Sequence, residues 1–287
     1  MKISFIIPPC GVYTDDKNWL WWVYKELINL GNEVLLNVCT PDCDVMICMA
    51  ISQTIVFKKY HKKYPSVPII TYNWDWFSFI DKTQSYWPEF TELMKQSIDI
   101  WTPSKYMVKR MKRILGLKHY VIEACSVLEE CIGKTRDDGY IVQASRRDKR
   151  YKNFAFFEKA CDELNIPYIS CHPNKYDRKT YVDILSRCRL LVDACIEDSN
   201  TSLSTMEAAF FKKPLLLSNI PVHKEGWDDG QAILFKNNDF NDFKIKLKAL
   251  YNNEIKVDIE GAFNTAINRY TPKAMAQSIN NRLKEIL

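Results

Sequence analysis

The sequence predicts an α/β protein built from two Rossmann-like, doubly wound domains that face each other across a cleft. Three observations lead to this prediction. The 287 residues are enough for about two domains of ordinary size. Short apolar runs alternate with stretches whose apolar residues recur at helical spacing. This alternation breaks near residue 135 and then begins again, which indicates two parallel sheets covered by helices.

In the first predicted domain, residues 1–134, the strands are short buried runs and the helices are amphipathic. Pro8 and Pro9 close the first strand, and Gly31 ends the first helix as a C-cap residue. The predicted strands are Ile3–Pro8, Glu33–Cys39, Asp44–Ala50, Val67–Tyr72, Ile98–Thr102 and Val121–Glu123, and the predicted helices are Trp19–Leu30, Ile51–Tyr64, Glu89–Gln96 and Ser104–Leu115.

The second predicted domain, residues 135–271, repeats the same pattern. Its predicted strands are Tyr140–Ala144, Pro167–Cys171, Leu190–Ala194, Pro214–Ser218 and Ile233–Phe235, and its predicted helices are Phe154–Leu164, Tyr176–Ser186, Ser204–Phe211 and Phe240–Asn252. The amphipathic helix Pro272–Leu287 is expected to cross back to the first domain. Because ligands of such sheets lie at the carboxyl ends of strands, the loops that follow strands are where chemistry is expected.

The composition excludes several classes of protein. Hydrophobic residues make up 47% and charged residues 26%, which excludes disordered, collagen-like and coiled-coil chains. No window approaches 18 apolar residues, and the apolar run at the N-terminus is too short for a signal peptide. We therefore expect a cytoplasmic protein (host cytoplasm if it is viral) without integral membrane association. The net charge of +5 is too small to bind nucleic acid by charge alone.

The ten cysteines are expected to be free thiols. None of them forms a C-x-x-C pair, and no cysteine–histidine cluster has zinc-finger spacing. Most stand in apolar runs, where cysteine behaves as a small hydrophobic residue. The sequence therefore predicts a reduced protein with no metal site.

The segment from residue 197 to residue 218 contains a Ser/Thr-rich loop, a helix and then a strand. Ser202 or Ser204 suits the N-cap, and the first N–H groups of the helix would form an anion site. Glu207, predicted in the first turn, fits a ribose diol beside a phosphate. The alternative is that Glu207 only complements the helix dipole or closes a capping box with Ser204.

A second segment, residues 141–153, places several cations directly after a strand. Arginine offers a bidentate fork to phosphate oxygens and lysine a point charge, so a diphosphate is a natural partner for Arg146, Arg147 and Lys152. The alternative is a solvated basic loop. Gly11, in the loop after the first strand, allows the backbone to approach a ligand closely, or it only makes a plain turn.

In this order, these segments resemble the motifs of retaining glycosyltransferases with the GT-B fold. Specifically, they resemble those of the large nucleotide-sugar family numbered four. The resemblance covers nearly the whole chain, and each motif is weak alone. The matching segments are Pro9-Cys10-Gly11, Gly31-Asn32-Glu33-Val34, Thr102-Pro103-Ser104, Val121-Ile122-Glu123, Arg146-Arg147 with Lys152, and Glu207-Ala208 followed by Lys212-Lys213-Pro214. The small size and scarce glycine fit a compact viral or phage member.

The resemblance implies a nucleoside-diphosphate sugar as donor and retention of anomeric configuration. Same-face attack, in which the leaving phosphate takes the acceptor's proton, needs no protein nucleophile and no metal. By resemblance the catalytic group is Arg146, Arg147, Lys152 and Glu207. The donor-binding residues implied are Gly11, His172, Ser199, Asn200, Thr201, Ser202, Leu203 and Ser204.

The chain departs from the family pattern at three places. The glycines of the family's sugar-binding loop are replaced by Asn200, Thr201 and Ser202. The family's first motif glutamate, which contacts the sugar, falls on Ser199, while Glu197 and Asp198 lie close but out of register. The histidine common in the first-domain cleft is replaced by a segment in which Asn73 or Asp75 would take over the polar contact. The acceptor-binding residues expected there are Asn73, Trp74, Asp75 and Trp76.

The acceptor and one other class of function stay open. Most tryptophans lie in the first domain beside the basic stretches Lys58–Lys63 and Lys105–Arg113, as expected for an anionic acceptor such as a hydroxymethylated DNA base, a phosphosugar or a lipid headgroup. The alternative is that Trp19 and Trp22 are core residues and the cations lie on solvated helix faces. A non-catalytic nucleic-acid-binding protein and a lipid or polysaccharide glycosyltransferase are the remaining candidates.

Overall fold

The computed structural model describes residues 1–7, 19–74, 87–127, 135–145, 150–171 and 176–287. The chain divides into two compact units, the first made of Met1–Cys125 with Pro272–Leu287 and the second of Ser126–Thr271. Each unit carries one sheet, and all strand pairs in both sheets are parallel. The predicted α/β fold class is confirmed.

The first unit contains a six-stranded sheet in the order β2-β1-β3-β4-β5-β6. Strands β3 and β4 are buried along their whole length, as parallel sheets covered on both faces require. The strands are β1 Lys2–Ile6, β2 Glu33–Leu36, β3 Val45–Cys48, β4 Ile69–Tyr72, β5 Asp99–Thr102 and β6 Tyr120–Val121, and the helices are α1 Trp19–Asn29, α2 Thr54–Lys63, α3 Trp87–Gln96 and α4 Lys105–Leu115.

The second unit contains a five-stranded sheet in the order β11-β10-β9-β7-β8. The strands are β7 Ile141–Ala144, β8 Tyr168–Cys171, β9 Leu190–Asp193, β10 Leu215–Ser218 and β11 Ile233–Phe235, and the helices are α5 Phe154–Leu164, α6 Arg178–Arg187, α7 Leu203–Phe210, α8 Pro221–Gly226, α9 Phe240–Tyr251 and α10 Ile259–Arg269. The strand order reverses between β7 and β9, so the loops after these strands open a crevice at one edge of the sheet.

The C-terminal helix α11, Pro272–Ile286, belongs to the first unit, as predicted. It packs along α1. The Asn32 side-chain amide donates a hydrogen bond to Asn280 Oδ1 at 3.1 Å, and Arg282 Nε donates to Asp99 Oδ2 at 2.7 Å. The Arg282 guanidinium and the Asp99 carboxylate thereby join α11 to β5.

Two helices of the second unit, α8 and α10, were not predicted. Helix α8 has only six residues and begins at Pro221, too short to show helical periodicity. Helix α10 has Gly261 in its first turn, where Asp258 accepts a hydrogen bond from the Gly261 N–H at 2.8 Å. A Cβ on Gly261 would lie 2.0 Å from Asp258 Oδ2, so the glycine that weakens the pattern is the residue that fits the cap.

Within the described ranges, none of the helices has the length and apolar character to cross a bilayer.

All eight cysteines that the structure describes are free and buried, in agreement with the prediction of free thiols. Burial raises the pKa of the Cys48, Cys161 and Cys188 thiols to about 12. Because the thiolate is the reactive form, we expect the native protein with Cys10 and Cys131 replaced by serine to leave Ellman's reagent unreacted at pH 8. Unfolding in guanidinium should release eight thiols per chain. Rapid reaction of the folded variant would contradict the buried placement.

Candidate functional site

The side chains of Lys152 and Asp198 form a buried ion pair at the carboxyl edge of the second sheet. Lys152 follows β7 in a single 3₁₀ turn, Arg150–Lys152, and Asp198 lies in the loop after β9. Lys152 Nζ donates a hydrogen bond to Asp198 Oδ2, and both side chains are about nine-tenths buried. The pair therefore stands in the crevice where the strand order reverses, the usual ligand position in such sheets.

Two carboxylates stabilise the charged form of Lys152. Burial alone would lower the pKa of the ammonium, but the carboxylates of Asp198 and Asp193 outweigh this effect and raise the pKa well above its ordinary value. Lys152 is therefore a fixed cation at neutral pH. An ammonium has three N–H donors, so its bond to Asp198 still leaves capacity for an anionic ligand.

The loop between Asp198 and α7 is held by a network of hydroxyl groups. Ser202 is the N-cap residue of α7, one of the two residues predicted for that position, and its hydroxyl pairs with that of Ser204 at 3.0 Å. The Thr201 hydroxyl pairs with Thr205 Oγ1 at 3.0 Å and accepts a hydrogen bond from Trp227 Nε1 at 2.9 Å. Helix α7 thus begins at a fixed loop, and its first N–H groups point out of the helix N-terminus.

Glu207 lies in the second turn of α7, not in the first turn as predicted, because the helix begins at Leu203. Its Oε1 accepts hydrogen bonds from Ser126 Oγ at 2.6 Å and Arg178 Nη1 at 2.8 Å. Its Oε2 accepts one from Tyr181 Oη at 2.6 Å. The alternative of a capping box with Ser204 is wrong, since the carboxylate turns to these three donors instead.

These contacts limit what Glu207 can bind. A carboxylate has about four lone-pair positions, and the three hydrogen bonds take three of them. One further hydroxyl donor can be accepted as the site stands, and a second requires that one of the present donors moves. Burial and the neighbouring Glu207 charge raise the pKa of Tyr181 well above its usual value, so the phenol stays a donor.

The described donor and acceptor candidates fall in different units. Ser199, Thr201, Ser202 and Ser204 are buried in the second unit, while Asn200 and Leu203 are half-buried. Asn73 follows β4 in the first unit, where its side chain is 2% exposed. Its Nδ2 has no hydrogen-bond partner among the described residues. Trp74, beside it, packs edge-on against Trp19 at 5.2 Å between ring centroids.

The aromatic and basic segments of the first unit are mostly structural. Trp19, Trp87 and Trp101 are buried in the core, as the core alternative held for Trp19, and Trp22 is half-buried with Lys25 Nζ 4.7 Å from its ring centroid. In α2 and α4 the lysines are exposed, while Phe57, Met107 and Met111 face inward. This agrees with the alternative that the cations of these segments lie on solvated helix faces.

Six of the predicted site residues lie outside the described residues. They are Gly11, Asp75, Trp76, Arg146, Arg147 and His172. Their predicted roles stay predictions.

Four residues of this region were not predicted as site residues. Asp198, one position before the predicted Ser199, supplies the carboxylate that meets Lys152, and Ser199 N–H donates to Asp198 Oδ1 at 2.7 Å. The acidic residue at position 198 was a usable signal once a shift of one residue was allowed. Ser126, Arg178 and Tyr181 gave no such signal, because tertiary packing brings them to Glu207 from 81, 29 and 26 positions away.

Solved glycosyltransferase structures have the same fold as this chain. Sucrose-phosphate synthase from Thermosynechococcus elongatus matches with a TM-score of 0.75 at 9% identity, over 99% of this chain and 98% of that one. HepE from Anabaena, in complex with UDP and glucose, matches with a TM-score of 0.72 at 12% identity, over 99% of this chain and 100% of that one. The lipopolysaccharide outer core galactosyltransferase WaaB matches with a TM-score of 0.70 at 12% identity, over the full length of both chains.

The chain therefore has the GT-B fold, which confirms the fold predicted from its motifs. No protein-family model matches the chain. A comparison with curated proteins likewise gives no match.

Proposed function

We propose that the chain is a retaining glycosyltransferase that moves a sugar from a nucleoside-diphosphate sugar to an acceptor hydroxyl. The observation that carries this proposal is the buried Lys152–Asp198 pair in the crevice of the second sheet. A lysine held charged by Asp198, in the loop that leads to the N-terminus of α7, is suited to bind a diphosphate. The GT-B fold supports the proposal, and the structure of HepE with bound UDP-glucose shows such a donor in a protein of this fold.

In the proposed reaction, the bond from the sugar's anomeric carbon to the diphosphate oxygen breaks. A bond from the acceptor oxygen to the same face of that carbon forms, and the acceptor's proton passes to the leaving diphosphate. Lys152 stabilises the charge that grows on the diphosphate, together with the N–H groups around Thr201–Ser204. Such preorganised donors are usually the largest catalytic contribution, about 3–4 kcal/mol for one donor. Arg146 and Arg147 are proposed to add to it.

Two carboxylates of the second unit have different proposed roles. Glu207 accepts a hydrogen bond from a ribose hydroxyl through its remaining lone-pair position. Asp198 takes the place of the family glutamate and contacts a sugar hydroxyl while it orients Lys152. Ser199, which stands at the position of the family glutamate, would orient Asp198 through its backbone N–H and offer its hydroxyl to the donor.

In the first unit we propose that Asn73 and Trp74 contact the acceptor. A buried amide nitrogen without a partner costs about 1–3 kcal/mol, and an acceptor hydroxyl or phosphate oxygen at the end of β4 would satisfy it. The exposed lysines of α2 and α4 favour an anionic acceptor. Hydroxymethylated DNA is therefore one acceptor to test.

A donor panel tests the proposal. We expect one of UDP, GDP, ADP and CMP to raise the melting temperature, since a ligand at 100 times its Kd stabilises by about 2.7 kcal/mol. The matching sugar donor should be hydrolysed slowly without acceptor and consumed faster with the correct one. The absence of both a shift and hydrolysis across the panel would refute it. Steep salt-dependent DNA affinity without nucleotide binding would instead favour a non-catalytic nucleic-acid-binding protein.

A further inference from the structure

A second group of buried polar side chains lies at the ends of β9 and β10. It consists of Asp193, the last residue of β9, Cys195, two residues further on, and His223 in α8. All three side chains are essentially inaccessible to solvent. One carboxylate oxygen of Asp193, the Cys195 Sγ and one ring nitrogen of His223 all lie within 4.8 Å of one another.

The charges around this group do not balance. The buried side chains include one cation, Lys152, and two carboxylates, Asp198 and Asp193. Asp198 pairs directly with Lys152, whereas Asp193 Oδ2 has no hydrogen-bond partner among the described residues. The charge of Lys152 also acts on Asp193, but one cation does not compensate two buried carboxylates, and an uncompensated buried charge costs several kcal/mol. A further positive charge beside Asp193 would therefore stabilise the group.

The orientation of His223 indicates how that charge is supplied. His223 Nδ1 lies 2.8 Å from the carbonyl oxygen of Ser218, so Nδ1 carries the proton and donates it to that carbonyl. A backbone carbonyl on one ring nitrogen is the usual support of a metal-binding histidine, because it directs the other nitrogen to the ion. That nitrogen, Nε2, faces Asp193 Oδ2 at 3.7 Å and Cys195 Sγ at 3.8 Å.

These spacings suit a tetrahedral ion better than a direct ion pair. A protonated Nε2 bonded to the carboxylate would lie about 2.7–2.9 Å from it, well inside the 3.7 Å found. Zinc bonds of about 2.0–2.2 Å to nitrogen and oxygen and about 2.3 Å to sulfur, at the tetrahedral angle, place a nitrogen roughly 3.3–3.5 Å from an oxygen and roughly 3.5–3.6 Å from a sulfur. The Asp193–His223 distance of 3.7 Å and the Cys195–His223 distance of 3.8 Å are each a few tenths of an ångström longer, so small side-chain shifts would bring the ligands onto the ion.

We propose that Asp193 Oδ2, Cys195 Sγ and His223 Nε2 bind a divalent metal ion of the zinc class. Carboxylate, thiolate and imidazole are the ligands that zinc takes in proteins. Binding releases the thiol proton, so the ion's two positive charges balance one carboxylate and one thiolate. The ion would join the ends of β9 and β10 and fix the start of the loop that carries Asp198. The site adjoins the Lys152–Asp198 pair, because Asp193 also helps to hold the charge of Lys152. None of its three ligands has a proposed contact with the donor, and the transfer step does not pass through the ion.

The sequence has no recognisable metal-binding motif at this site. The spacing is D-x-C followed by a histidine 28 residues later, which matches no zinc-finger pattern. Only the parallel pairing of β9 with β10 brings the two segments together, with Asp193 opposite Leu217. The site would correct the expectation that the chain has no metal site.

Metal analysis of the whole chain tests the proposal, because ligands this deeply buried would take the ion up during folding. The protein is produced in medium supplied with zinc or with cobalt and purified without chelators. We expect about one metal ion per chain, and in the cobalt form a thiolate-to-cobalt charge-transfer band with tetrahedral visible bands. Less than about a tenth of an ion per chain in the wild type would overturn the proposal without any variant.

Substitutions then locate the ion. Cys195→Ser should remove the charge-transfer band, and Asp193→Asn should lower the metal content at least tenfold. Cys188→Ser is the matched control, since Cys188 is another buried thiol of the second unit and should keep both signals. A band that survives in folded Cys195→Ser, checked by circular dichroism, would overturn the site. The readout is metal content, so it is independent of whether nucleotide sugars bind.

Discussion

Replacing Lys152 by methionine should reduce sugar transfer about 100- to 1000-fold, the loss expected when one preorganised donor to a developing charge is removed. Methionine keeps most of the side-chain volume but cannot stabilise the departing diphosphate. The measurement is kcat/KM for the donor identified in the nucleotide panel. Because the two carboxylates raise the pKa of Lys152 above its ordinary 10.5, this lysine should not titrate in the pH profile of the wild type at neutral or mildly alkaline pH.

The same substitution leaves the buried carboxylate of Asp198 without its partner, which can cost about 3–5 kcal/mol of folding free energy. The double variant Lys152→Met/Asp198→Asn removes both charges and should unfold closer to the wild-type temperature while still being inactive. Lys213→Met is the control for losing a buried lysine as such, because Lys213 Nζ donates to the carbonyl of Arg136 and has no proposed role in transfer. A folded double variant with activity within threefold of the wild type would rule out the catalytic role of Lys152.

Replacing Glu207 by glutamine should weaken donor binding about tenfold to a hundredfold, because hydrogen bonds to a charged acceptor contribute about 1.5–3 kcal/mol each. Glutamine keeps the shape of the side chain but presents an amide group to Arg178 and to the ribose. We expect the loss mainly in KM for the donor and in the Kd of the nucleoside diphosphate, with a smaller change in kcat. Titration calorimetry with the nucleoside diphosphate measures the effect directly.

Glu158→Gln is the matched control for this prediction. Glu158 lies in α5 of the same unit and accepts a hydrogen bond from Ser170 Oγ at 2.6 Å, so the substitution changes a comparable contact of a residue that has no proposed role in binding. Its Kd should equal that of the wild type. Equal nucleotide affinity in Glu207→Gln and Glu158→Gln would show that Glu207 only anchors Arg178 and Tyr181.

Most of the fold could be predicted from the sequence because its strands are short buried runs between amphipathic helices. Strand β3 is apolar along its whole length and β9 is apolar up to Asp193, and both ends of α5 were predicted as the structure has them. The C-terminal helix was also placed correctly. Helix α10 was missed because Gly261 interrupts its pattern, although Asp258 marks its start.

Less of the candidate site could be predicted, because its contacts depend on tertiary structure. Lys152 was recognisable as a cation after a strand, but its partner Asp198 lies one position away from the family register. The donors to Glu207 come from α6 and from Ser126, and no local spacing connects them to α7. The buried group of Asp193, Cys195 and His223 likewise forms only when β9 pairs with β10.

A crystal structure of the chain with the nucleoside diphosphate selected by the panel tests the central claim most directly. The proposal predicts a diphosphate oxygen within hydrogen-bonding distance of Lys152 Nζ, beside the N-terminus of α7, and a ribose hydroxyl on Glu207. A nucleotide bound elsewhere, with the Lys152–Asp198 pair unchanged and no phosphate near it, would contradict the proposal.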